Sequence, residues 1–138
     1  MLPEKIELEV VTPQRLVLHE DVESVELPGR DGYIGVLPGH APLLTELGIG
    51  VLTYRTNSHS HVLTVMEGFS EVLPGRVIVL AEVSERATEI DLERSRAALQ
   101  RAQERVAQTG SSDVDWKRAQ SALQRAMVRI QVASRAGS

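Results

Sequence analysis

Between Lys5 and Glu82 apolar and polar residues alternate in short runs, most clearly through Ile6, Leu8 and Val10 and again through Val22, Val25 and Leu27. Period-two alternation places one face of a strand against a core and the other against water. The same reading predicts strands over 32–36, 49–54, 61–66, 69–73 and 76–81. Turn signals separate them at Thr12-Pro13, Pro28-Gly29, Pro38-Gly39, Thr56-Asn57-Ser58, Glu67-Gly68 and Pro74-Gly75. Many short strands with this punctuation predict an antiparallel β-sandwich or flattened barrel. With only 3% aromatic residues, its core has to be built from Val, Leu and Ile.

After Ala87 the period becomes helical. Thr88 or Asp91 is the N-cap candidate, and Leu92, Ser95, Leu99, Ala102 and Val106 form a stripe with three-four spacing. Thr109 to Asp113 interrupts it, with Gly110 suited to a C-cap and Ser112 or Asp113 to the next N-cap. Trp116, Ala119, Leu123, Ala126, Ile130 and Ala133 continue on a second helix. The predicted fold class is therefore α+β. A β-sandwich occupies residues 1–87 and an antiparallel two-helix hairpin with arms of about 20 residues occupies 88–138. Ser and Ala bury little area at roughly 25 cal/mol per Å2, so the hairpin is marginal alone and has to lean on the sandwich or a partner.

A chain of 138 residues holds one cored domain and an appendage. Charge divides at the same place: residues 1–87 carry six basic and thirteen acidic side chains, and residues 88–138 carry nine basic and six acidic. A lone aromatic in the basic half, Trp116, argues against stacking on nucleic acid bases. The absence of cysteine excludes a disulfide framework and thiolate metal sites. Together with a plain N-terminus it sets the expectation of a reducing, non-secreted compartment, and no apolar run is long enough to span a bilayer.

No catalytic constellation is readable. His59 and His61 share a face of an extended segment without a third ligand nearby, so a polar hairpin tip outweighs a metal pair, and no metal site is expected. His40 stands in a loop shaped by Gly29, Gly32, Gly35 and Gly39 and by Pro28, Pro38 and Pro42, where an interface role outweighs general-base work. The glycines do not follow a phosphate-cradle spacing, so the segment reads as a pre-ordered surface for a partner to grip. Arg94 and Arg101 lie one heptad apart on the first helix and Arg125 and Arg129 four apart on the second, so folding the hairpin can bring four guanidinium groups together. A solvated charged face and an anion site are both consistent with that pattern.

The run Gly35-Val36-Leu37-Pro38-Gly39-His40-Ala41-Pro42-Leu43-Leu44 is similar to the G-x-x-PGHxPLL loop of the epsilon subunit of F-type ATP synthase. Val10-Val11-Thr12-Pro13, Gly68-Phe69-Ser70-Glu71-Val72 and Val77-Ile78-Val79-Leu80-Ala81 match in the same register, so the resemblance covers nearly the whole chain. It implies a β-sandwich of about ten strands with a C-terminal helix-turn-helix, and a non-catalytic rotor subunit that couples rotation of the c ring to ATP synthesis. It further implies the gamma subunit and the c-subunit ring as partners, with the alpha and beta subunits added when extended helices inhibit ATP hydrolysis. By analogy Arg30, Asp31 and Gly32 face the c ring, and Pro38, Gly39 and His40 lie toward gamma.

Some bacterial members carry an [IL]-D-x-x-R-A motif that takes part in binding a regulatory ATP, and here Ile90-Asp91-Leu92-Glu93-Arg94-Ser95 resembles it with Ser in the last place. The resemblance adds Glu85, Arg101, Arg125 and Arg129 to that site. No cofactor is required. The implied location is peripheral, at the cytoplasmic face of a bacterial inner membrane or the stromal face of a thylakoid. The competing reading is a free-standing anion- or nucleotide-binding sandwich with a helical lid.

Overall fold

A computed structural model describes residues 3–108 and 113–135. Its strands are β1 (Ile6–Val11), β2 (Leu16–Val22), β3 (Ser24–Gly29), β4 (Gly32–Val36), β5 (Leu43–Thr56), β6 (His59–Leu73) and β7 (Arg76–Arg86). They form one continuous sheet in the order β2-β1-β7-β6-β5-β3-β4. Neighbours pair antiparallel except β1 with β7, which run parallel. The sheet folds over a single core: Ile6, Leu8 and Val10 of β1, Val25 and Leu27 of β3, Leu52 of β5, Val65 and Val72 of β6 and Val79 of β7 belong to one buried cluster. The Glu23 amide donates to the Arg55 carbonyl at 2.8 Å, tying the β2–β3 corner back to β5.

Among the described residues seven strands rather than about ten build the sandwich, because β5 and β6 run 14 and 15 residues. The separate strands predicted over 61–66 and 69–73 are one strand. Glu67 and Gly68 do not turn the chain; they take φ of 61° and 132° inside β6 while pairing with β5 continues on either side. Across that point the core-facing positions change from Leu63 and Val65 to Ser70 and Val72, an odd-to-even switch. A period-two pattern cannot carry such a switch, so a continuous strand reads as two. Likewise Pro28-Gly29 lies within β3, and the tight turn is Arg30-Asp31, between the paired Gly29 and Gly32.

A 3-10 turn (Ala87–Glu89) leads into α1 (Leu92–Gln108), and α2 (Asp113–Ala133) returns antiparallel to it. Of the N-cap candidates, Asp91 is the one used: its Oδ1 accepts the Arg94 amide at 3.0 Å. The caps expected at Gly110 and Ser112 lie outside the described residues. The stripe predicted on α1 is the buried one, with Ser95 and Ala102 most enclosed.

On α2 the stripe is incomplete. Ala119 and Ala126 are buried as expected, but Trp116 is 48% exposed, and Val128 and Val132 are buried on another side of the helix. Gln124 shares that side, four residues before Val128, and its Nε2 donates to the Ile49 carbonyl of β5 at 3.1 Å. So α2 has two packed faces, one toward α1 and one toward β5 and β6, and α1 reaches the sandwich chiefly through it. This is how a hairpin built from small residues gains enough buried area to dock.

Candidate functional site

The end of β7, the 3-10 turn, the start of α1 and the last turns of α2 surround a cleft of about 410 Å3. Glu85, Ile90, Asp91, Arg94, Arg101 and Arg129 line it. Each arrives by a different route. Glu85 is set by β7, where its amide donates to Thr64 Oγ1 on the neighbouring strand at 2.9 Å and that hydroxyl donates back to Glu85 Oε1 at 3.0 Å. Thr64 is fully buried, so the carboxylate leaves the sandwich from a fixed root. Arg129 Nε donates to the same carboxylate at 3.0 and 3.3 Å. Arg94 and Arg101 come from one helix face, two turns apart, and Asp91 is held by its own cap and by the Ser95 amide and hydroxyl, which donate to its carbonyl at 3.0 and 2.9 Å.

Arg125 does not line this cleft. With Arg101, Arg105 and Arg129 it lines the adjoining hollow between the helices, where Ala98, Ala102, Ala122 and Ala126 let the backbones approach. Three acids and three arginines border the first cleft, yet the acids are already engaged: Glu85 by Arg129, Asp91 by the helix cap, and Glu89 by Arg15. A ligand entering there meets guanidinium groups of Arg94 and Arg101 with Arg125 beyond them, the donor set that binds phosphate oxygens in pairs.

The other predicted residues form a separate surface. Arg30 pairs with Glu46 at 2.8 Å and its amide donates to the Glu46 carbonyl at 2.9 Å, so the Arg30-Asp31 turn at the end of the β3–β4 hairpin is tied to β5. Gly39 takes φ of 89°, and its amide donates to the Pro74 carbonyl at 2.7 Å; His40 Nδ1 lies 2.6 Å from the Ala41 carbonyl. The loop is thus fixed through its backbone, as its glycines and prolines suggest. Sequence reasoning missed the apolar face beside it. Phe69 and Leu80 are directly paired across β6 and β7, Leu44 lies on the same face of β5, and these three are 54%, 55% and 72% exposed. His61 stacks on Tyr54 with ring centres 5.0 Å apart and bonds Thr56 Oγ1 at 2.8 Å, so it belongs to the end of the β5–β6 hairpin.

Two family models match adjoining parts of the chain, together residues 5–134. The beta-sandwich domain of the ATP synthase delta/epsilon chain covers residues 5–87, and its long alpha-helix domain covers 88–134. The chain belongs to the ATP synthase delta/epsilon chain family. Among its relatives, the ATP synthase epsilon chain of Solibacter usitatus is 53% identical over 102 residues, spanning 74% of this chain and 76% of that one. ATP synthase epsilon chain 2 of Syntrophotalea carbinolica is 48% identical over 136 residues, 99% of both chains. A chain in the cryo-EM structure of the Euglena gracilis mitochondrial ATP synthase (OSCP/F1/c-ring) superposes with a TM-score of 0.82 at 22% identity, covering 97% of this chain and 84% of that one, a likeness of fold.

As a delta/epsilon chain the protein is a structural subunit of ATP synthase, a peripheral part of a membrane complex, and it does not itself carry the catalytic chemistry. Among the described residues, no helix is long and apolar enough to cross a membrane. One group near the cleft was not found from sequence at all. Arg15, in the turn between β1 and β2, grips Glu89 through two contacts of 2.6 and 2.9 Å. That hydrogen bond holds the Glu89 carboxyl below the usual carboxylate range and raises Arg15 in turn. No sequence signal links residues 74 positions apart.

Proposed function

We propose that this delta/epsilon chain is a rotor subunit of the central stalk whose helical hairpin is an inhibitory arm held closed by a nucleotide. The observation that carries the reading is the convergence of Arg94, Arg101 and Arg129 with Glu85 and the capped start of α1 in one cleft, with Arg125 in the adjoining hollow. A triphosphate seated across both spaces joins α1, α2 and β7, and so favours the folded hairpin over an extended one in proportion to its differential affinity. Ile90 supplies an apolar flank, and Glu85 and Asp91, engaged by Arg129 and by the helix cap, hold the wall of the cleft in place. With the ligand gone, the helices extend toward gamma and the alpha and beta subunits and hinder ATP hydrolysis.

The apolar face of Leu44, Phe69 and Leu80 and the loop Pro38 to His40 are the docking surface for gamma, and the turn at Arg30, Asp31 and Gly32 meets the c ring. Exposed apolar area of this kind on a folded domain marks a protein contact. The subunit then works at the cytoplasmic face of a bacterial inner membrane, or the stromal face of a thylakoid if plastid-made.

Calorimetric titration of ATP into the full chain and into Arg125→Ala tests the site. Loss of a charged hydrogen bond to phosphate costs about 1.5–3 kcal/mol, so binding should weaken at least about tenfold. Equal heats in both chains would remove the nucleotide from the reading. Deleting residues 88–138 should raise ATP hydrolysis by the assembled complex; a truncated complex that remains as slow as the intact one would remove the inhibitory arm.

A further inference from the structure

The segment between the sandwich and α1 is bound in two opposite directions, and the division does not fall where the strand ends. Arg86 and Glu89 are tied backward, to the sandwich. Arg86 Nη2 donates to the Val17 carbonyl of β2 at 2.6 Å, and the Arg86 amide donates to Glu89 Oε1 at 2.8 Å. Glu89 is gripped by Arg15, whose Nη2 also donates to the Ser84 carbonyl at 3.4 Å. Arg15 itself is seated in a closed turn: its amide donates to the Thr12 carbonyl at 3.3 Å and its carbonyl accepts the Thr12 amide at 2.9 Å. Ile90 ends the 3-10 turn through its amide, which donates to Ala87 O at 3.3 Å, and takes extended backbone angles. From Asp91 onward the bonds run forward into α1, to Arg94 and Ser95.

We infer that Arg15 is a clamp that makes Glu89 part of the sandwich, so that the hairpin pivots at the Ile90-Asp91 junction rather than at the end of β7. The mechanical boundary then lies three residues beyond the 87/88 boundary of the family domains. Because α2 packs against the 3-10 turn, the clamped turn is also a fixed seat to which the helices return. Its meaning for regulation rests on the inhibitory-arm reading above, but the clamp is a property of the free chain and is measured without nucleotide.

Amide exchange followed residue by residue in the full-length chain tests it. Arg15→Ala should speed exchange of the Arg86 and Ile90 amides by about tenfold or more, while the Ser95 amide stays within about twofold of the parent. The exchanged pair Arg15→Glu with Glu89→Arg should restore most of the protection. Should Arg15→Ala melt the sandwich, Arg15→Lys keeps the charge and loses the paired geometry, and partial loss at Arg86 and Ile90 is expected. Unchanged Arg86 and Ile90 rates would overturn the clamp. Equal acceleration at Ser95 would show that turn and helix move together and would overturn the pivot. ATP titration is a separate readout, so failure of the nucleotide site leaves this result standing, and the reverse.

Discussion

The Arg129 side chain on α2 lies 3.0 Å from the Glu85 carboxylate on β7, and that carboxylate is itself rooted on the buried hydroxyl of Thr64. One ion pair thus links the last helix to the sandwich at the mouth of the arginine-lined cleft. Both side chains keep about a third or less of their surface exposed, at 35% and 24%, so solvent weakens the attraction without abolishing it. Glu85→Gln should loosen hairpin docking by about 1 kcal/mol while the sandwich melts as before. Amide exchange on α1 and α2 reads the first effect and thermal unfolding the second. A variant whose helices exchange no faster would show that the face of Gln124, Val128 and Val132 holds the hairpin without the ion pair.

On the outer face of β1, β2 and β7, His19 Nε2 lies 2.7 Å from Glu7 Oε2, and Arg76 reaches Glu7 at 3.6 Å and Glu9 at 2.9 Å. The hydrogen bond to Glu7 is the largest effect raising His19 above its ordinary 6.5, and the bond from His19 is the largest effect lowering Glu7 below its ordinary 4.5. A raised histidine contributes stability that is complete below its unfolded value and is lost as pH rises through the folded one. A lowered carboxylate contributes stability that is complete above its unfolded value and is lost as pH falls through the folded one. The pair therefore helps most in weakly acidic solution. The melting difference between the parent and His19→Gln should peak there and shrink toward both about pH 3 and about pH 9; a difference that is flat with pH would mean the contact carries no charge.

Gly68 shows how the sandwich accommodates its long strands. A Cβ built there would stand 2.0 Å from the Leu80 carbonyl oxygen and 2.9 Å from Ala81 Cα, with φ already at 132°. Both partners are backbone of the adjoining strand, so neither can step aside. Gly68→Ala should destabilise the sandwich by about 3 kcal/mol or more, read by denaturant unfolding. A loss under about 1 kcal/mol would mean that β6 can switch its core-facing positions without this close approach.

What the sequence discloses follows from the range of the interaction concerned. The alternation of β1, the change of period after Ala87, the Asp91 cap and the spacing of Arg94 with Arg101 are local features, and the structure carries each as read. β2 escaped because its Leu16-Val17-Leu18 run and its exposed His19-Glu20-Asp21 run do not alternate. Pro28 misled in the other direction. It pairs with Tyr33 on one side, but the β3–β5 ladder breaks between Glu26 and Gly29, where proline has no amide to donate, so the strand tolerates it. The second packed face of α2 and the Arg15 contact with Glu89 depend on which surfaces meet in three dimensions, and no spacing along the chain encodes that.

Ser95 stands where the resembling motif has alanine, and its hydroxyl is already committed: Oγ donates to the Asp91 carbonyl at 2.9 Å on a side chain only 5% exposed. That carbonyl also accepts the Ser95 amide at 3.0 Å, so removing the hydroxyl leaves no buried acceptor without a donor. Alanine has the better helix propensity, by about 0.5 kcal/mol, and serine bonded back along the helix contributes little of its own. Ser95→Ala should thus leave the fold as stable or slightly more stable, and change ATP affinity by no more than about twofold, since Ser95 lines the cleft but its hydroxyl proton is already spent on the Asp91 carbonyl. Melting temperature and calorimetric titration check the two halves. A gain in affinity of about tenfold would show instead that the hydroxyl turns toward the ligand and competes with it for Asp91 or Arg94.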